Sequence, residues 1–207
     1  MTTRTYRSPR REQAAAHTRA AILDAAEELF AERGYANTTI NQVAAAAAVA
    51  PNTVYTSVGG KPQLVVALAE RAATNPAISS GLEAIDKLTD GREIIQLLAE
   101  GTMAARRSQQ RAITVMLDNV TADPLIARTS DRITALLRQH IHRIAARLGT
   151  ILALPAGTTT AHAVAILWFY FSFTAWKELR TLGWAWTEIE QWLGSQAISA
   201  LLTAPDL

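Results

Sequence analysis

Asn52, Thr53, Tyr55 and Thr56 cluster inside one short segment, and Lys61 follows them closely. Short amide and hydroxyl side chains at that density suit hydrogen bonding to base edges and phosphate oxygens. A lysine at the start of a helix adds positive charge beside free backbone N–H groups, which together attract anions. The N-terminus supplies more charge: Arg4, Arg7, Arg10, Arg11 and Arg19 stand against a single acid, Glu12, in the first twenty residues. The chemistry on offer is recognition and charge neutralisation of a polyanion. Bond-breaking chemistry has no counterpart in the sequence. It contains no G-x-S-x-G, no H-E-x-x-H and no phosphate-cradling glycine loop, and paired acids such as Glu27-Glu28 suit a solvated helix face. The four histidines lack the spacing of a metal pair: His140 and His142 point to different faces of a helix. No enzyme activity, metal or cofactor is expected.

These residues need elements to present them. Helical periodicity runs through the chain, and sustained strand-like alternation is absent. A first helix is expected from about Ala14 to Arg33, with Ile22, Ala26, Leu29 and Phe30 on one stripe. Gly34 ends it as a left-handed C′ residue, with Tyr35 placed to pack back on Phe30. Thr39-x-x-Gln42 reads as a capping box, so a second helix begins at Ile40. Val49-Ala50 runs into Pro51, which disfavours helix before it and suits the first position of a new one. Pro51–Ser57 is therefore a short third helix closed by Gly59-Gly60. The small side chains of Ala44, Ala47 and Ala48 let the second and third helices cross closely.

A helix opened by Lys61-Pro62 reaches about Thr74, where Asn75-Pro76 interrupts. Further helices are expected over 92–108, 112–120, 124–148, 158–182 and 187–202, giving about nine in an all-α chain. A pair of short helices joined by a tight turn is a helix-turn-helix, whose second helix enters the DNA major groove. On that reading Thr39, Asn41, Pro51, Asn52, Thr53, Tyr55, Thr56 and Lys61 contact double-stranded DNA. Arg4, Arg7, Arg10 and Arg11 form an arm along the backbone or in a minor groove.

Composition sets the limits. The chain has 207 residues, 49% of them apolar, a net charge of +2 and no cysteine, so disulfides and thiolate chemistry are excluded. That absence accords with the reducing cytoplasm, the expected location. Leu148–Trp176 lacks charged residues, but its strongly apolar part, Ala163 to Trp176, is about 14 residues long, the length of a core helix rather than a membrane span.

The stretch RGYANTTINQVAAAAAVAPNTVYTSVGGKPQLV, Arg33 to Val65, resembles the DNA-binding domain of the TetR family of one-component transcriptional regulators. Arg33-Gly34-Tyr35, Thr38-Thr39, Val43-Ala44, Val49, Thr53-Val54-Tyr55, Lys61 and Leu64 carry the likeness, and Ala21–Phe30 resembles the family's first helix. The chain departs from the pattern at Ala48, where the family usually has glycine. It departs again at Ala50, usually a serine cap, and at Ser57-Val58, usually an aromatic pair.

The resemblance implies a basic flexible arm over 1–13 and a three-helix helix-turn-helix domain over 14–60. A larger helical effector-binding and dimerisation domain covers 61–207, with helix 61–75 connecting. It implies a homodimeric repressor on a palindromic operator, released by a small, largely apolar effector. Met103, Met116, Trp168 and Phe171 are the pocket walls it suggests, and Phe169, Phe173, Trp176 and Trp192 the dimer contacts. The departures motivate an alternative: a TetR-like ligand-binding or scaffold protein with weak or lost sequence-specific DNA binding.

Overall fold

The computed structural model describes residues 9–202 as ten α-helices, with no strand among them. They are α1 (Pro9–Asn37), α2 (Ile40–Ala46), α3 (Pro51–Ser57), α4 (Lys61–Ala73), α5 (Pro76–Ile85), α6 (Gly91–Asp118), α7 (Pro124–Thr150), α8 (Thr160–Phe171), α9 (Ala175–Thr181) and α10 (Trp186–Leu202). None is long and apolar enough to cross a membrane.

The chain divides into two compact units. The first contains α1–α4 together with Arg111–Asp131. Its core gathers Ile22, Ala26, Leu29 and Phe30 of α1, Val43 and Ala44 of α2, Val54 of α3, and Leu64, Val65 and Leu68 of α4, all buried. Across its surface Arg71 of α4 pairs with Asp24 at 2.6 Å and Glu27 at 2.8 Å, both on α1. The apolar face of α4 thus groups that helix with the three before it, rather than with α5.

The second unit contains Thr74–Gln110 and the residues from Arg132 onward. Ile94, Ile95, Ala99 and Met103 of α6 pack with Ile141, Ile144 and Leu148 of α7, Leu167 and Phe171 of α8, and Leu193, Ala197 and Leu201 of α10. Gly194 lies where an added Cβ would come within 3.3 Å of Ala99, so α10 approaches α6 closely. Arg143 pairs with Asp86, holding that carboxyl below the usual carboxylate range through their hydrogen bond. Arg147 donates to the Leu88 carbonyl at 2.7 Å.

Several boundaries differ from the sequence reading. The first helix already includes Pro9–Gln13, which puts Arg10 and Arg11 on a helix rather than on a flexible arm. Arg4 and Arg7 lie outside the described residues. Gly34 has φ 78° but ψ 160°, a glycine-only extended region rather than the left-handed helical one. A last turn of helix, with Tyr35 in it, comes after that kink. Asn75-Pro76 starts a helix instead of interrupting one: the Asn75 side chain accepts from the Ala77 N–H at 3.0 Å, and Pro76 occupies the first turn. The two helices expected over 92–108 and 112–120 are one, ending at Asp118, because the polar run at Ser108–Arg111 contains no glycine or proline to break it. Residues 158–182 are two helices, separated where Ser172 turns extended at φ −68°, ψ −174°.

Candidate nucleic-acid interface

The interface is built from Thr38 upward. Thr38 is buried, and its hydroxyl contacts the Leu29 carbonyl at 3.2 Å and the Gly34 carbonyl at 2.9 Å, fixing the exit from α1. Thr39 then caps α2 as the sequence suggests. Its oxygen accepts from the Gln42 N–H at 3.3 Å while the Gln42 side chain accepts from the Thr39 N–H at 2.8 Å. The far end of α2 closes with Val49 N–H donating to the Ala44 carbonyl at 2.9 Å and Ala48 N–H to the Ala45 carbonyl at 3.2 Å. That closure holds Ala48 at φ 53°, a left-handed conformation that costs a side chain about 1–2 kcal/mol. Ala50 is extended and provides no side-chain cap for α3, while Pro51 fills the first position.

The α2–α3 pair forms with these departures in place, because Val43, Ala44 and Val54 are buried under it. Its outer side presents Asn41, Pro51, Asn52, Tyr55 and Thr56 to solvent, with Thr39 beside them and Thr53 half-buried. Tyr55 is 56% exposed, a large ring held out from the core. The Thr56 hydroxyl lies 3.0 Å from the Asn52 carbonyl and 3.2 Å from the Thr53 carbonyl, within its own helix. Its proton is thereby engaged, which leaves Thr56 an acceptor and suits a base amino group better than a phosphate.

Lys61 is less free than its position suggests. Its ammonium donates to the Ala36 carbonyl at 3.1 Å and lies 4.3 Å from the centre of the Tyr35 ring. Burial lowers its pKa, and burial, with Asp123 second, raises that of Tyr35. An ammonium has three hydrogens, so one bond to Ala36 leaves others for an anion. Arg19 has a positioning role that the sequence does not show: its guanidinium donates to the Ser57 carbonyl and ties the end of α3 to α1. Only the tertiary pairing reveals it. Arg10 and Arg11 stand exposed on the first turns of α1.

The pocket and dimer residues fare differently. Met103 and Phe171 are core residues of the second unit, and Trp168 is half-buried with the Arg138 guanidinium 4.5 Å from its ring centre. Met116 is buried in the first unit. Phe173 and Trp176 are 9% and 1% exposed, so they are interior side chains of a single chain and not surface contacts. Trp176 stacks on Trp186 at 5.5 Å. Phe169 and Trp192 remain on the surface, at 71% and 42% exposure. No group of three or more potential metal ligands occurs among the described residues.

Residues 22–68 match the profile of the bacterial regulatory proteins of the tetR family. The likeness to the tetR family lies in this N-terminal stretch. The match runs from within α1 into α4 and includes α2 and α3 whole. Curated proteins include no match to the chain. Among solved structures, a TetR-family regulator from Mesorhizobium loti superposes with TM-score 0.71 at 16% identity, over 91% of this chain and 98% of that one. SmeT in complex with triclosan gives 0.73 at 18% identity, over 91% and 93%. FadR from Bacillus subtilis in complex with stearoyl-CoA gives 0.71 at 17%, over 87% and 98%. At these identities the likeness is one of fold, and it extends along most of the chain.

Proposed function

We propose that this chain is a TetR-family regulator, a repressor that binds a roughly palindromic operator as a cytoplasmic homodimer and is released by a small molecule bound in its helical body. The observation that carries the DNA-contacting part is the outer side of α2 and α3. Asn41, Asn52, Tyr55 and Thr56 project from a helix pair anchored beneath by Val43, Ala44 and Val54. Two-fold symmetry then requires half-sites spaced near whole helical turns. Dimerisation is supported by Phe169, Leu182 and Trp192, large apolar side chains on the surface of the second unit, where contact with a second copy would bury them. Two neighbours in fold, SmeT and FadR, were solved with triclosan and stearoyl-CoA bound, which supports a small-molecule effector here. For release, the effector must bind the DNA-free geometry more tightly, and operator DNA must weaken effector binding by the same factor.

Selection of random duplex DNA on the purified chain at near-physiological salt tests the reading. Enrichment of a palindrome is expected, with Asn52→Ala and Tyr55→Phe each weakening binding about tenfold or more. Sequence-blind binding at every stage would overturn it and favour the scaffold alternative.

A further inference from the structure

The buried side of α6 begins conventionally, with Ile94, Ile95, Ala99 and Met103, and then changes character. The next two inward positions are Arg106 and Gln109, at 6% and 8% exposure. The Arg106 guanidinium lies 4.2 Å from the centre of the Phe173 ring, in the turn between α8 and α9. Its Nε is buried without a hydrogen bond, and so is the Gln109 Nε2 one turn along the helix. Trp176, one turn on from Phe173, is 1% exposed, and its indole N–H is likewise buried and unbonded. No carboxylate pairs with Arg106 among the described residues. Burial pulls its pKa down to about 10, which still leaves it cationic at neutral pH.

A buried cation without a counter-charge is strongly unfavourable, and an aromatic face offsets only part of that cost. The unsatisfied groups also share a sign. Arginine and the tryptophan indole only donate hydrogen bonds, so what completes them must accept. A single guanidinium calls for one negative charge. The Phe173 ring against it, and the core of the same unit with Met103, Phe171 and Trp176, call for an apolar body on that charge.

We infer that the second unit holds a monoanionic ligand, a carboxylate on an apolar body, with the carboxylate on the Arg106 guanidinium and the Gln109 amide and Trp176 indole as supporting donors. The inference rests on the effector reading above and narrows it: the effector is an acid rather than a neutral apolar compound. The planar fork of arginine suits both carboxylate oxygens at once, which lysine cannot reproduce.

The test uses the full chain and two matched pairs, decanoate with decanamide and 2-naphthoate with 2-naphthamide. Titration calorimetry should show at least one acid binding about tenfold or more tighter than its amide, as expected for a charge-assisted hydrogen bond. That preference should vanish in Arg106→Met and shrink in Arg106→Lys. Ligand-free Arg106→Met should melt no lower than the parent, because it replaces an uncompensated charge with an apolar chain of similar length. A lower melting temperature for ligand-free Arg106→Met would overturn the inference by showing that the charge is already satisfied. Equal binding of acid and amide, or binding of neither, would overturn it too. Operator release separates the two readings. If an acid binds through Arg106 but leaves the operator bound, the effector reading fails and the site stands. If acid and amide release it equally, the site fails and the effector reading stands.

Discussion

Ala50 stands where a serine, threonine or aspartate would accept a hydrogen bond from the first turn of α3, and it offers none. The seven-residue helix is held instead by Pro51, by burial of Val54 and by the bond from Arg19 to the Ser57 carbonyl. Ala50 already has the extended conformation of a cap, with φ −73° and ψ 147°. Ala50→Ser should therefore raise stability by about 1 kcal/mol, measured by urea denaturation, and leave the helical content unchanged. The capping residues were legible in the sequence because their partners lie three residues away or less, as with Thr39 and Gln42. Arg19, Lys61 and Arg106 were not legible in the same way. Each owes its role to a partner brought close only by folding: the Ser57 carbonyl, the Ala36 carbonyl and the Phe173 ring.

At the scale of elements, three helices end in the same hydrogen-bonded motif with different residues at its left-handed position. α2 closes through Val49 to Ala44, α7 through Ala153 to Leu148 at 3.1 Å, and α9 through Trp184 to Leu179 at 3.1 Å. The left-handed residues are Ala48 (φ 53°), Leu152 (φ 56°) and Gly183 (φ 90°). Only the last is the residue the motif favours. Relief of about 1–2 kcal/mol of strain outweighs the extra freedom glycine gives the unfolded chain, about 0.4–1 kcal/mol. Ala48→Gly and Leu152→Gly should then each stabilise by about 0.5–1 kcal/mol. Leu152 is 88% exposed and forfeits no core packing. An added Cβ at Gly183 would meet nothing within 4 Å, so Gly183→Ala should cost about 1 kcal/mol through the backbone alone. Denaturant melts of the three variants check the signs. The same local logic explains which helices could be read in advance. Pro51, Gly59-Gly60 and Asp123-Pro124 mark ends that the structure confirms. The α8–α9 break at Ser172 has no glycine or proline, and helices apolar on nearly every side hide their phase.

On the scale of the whole molecule, charge is partitioned. Acidic and basic residues balance beyond Thr74, so the net charge of +2 resides in the N-terminal helices and the residues before them. That partition was visible in the sequence. Assignment of Arg111–Asp131 to the first unit was not, since no local signal marks where a long helix passes from one core to another. If DNA is bound through the N-terminal helices, phosphate neutralisation must come largely from Lys61, Arg10 and Arg11 with the arginines before them. A dimer making about six such contacts should show log K falling with log salt at a slope near −5, since each neutralised phosphate contributes about −0.9. Arg10→Ala with Arg11→Ala removes up to two charges per subunit. It should flatten that slope by up to about 4 and weaken all duplexes alike. Asn52→Ala should do the reverse, leaving the slope intact while narrowing the gap between operator and random DNA. Titrations of both variants on both duplexes across salt separate the two contributions. A slope unchanged by loss of the arginines would place the phosphate contacts elsewhere on the first unit, with Lys61 the next residue to replace.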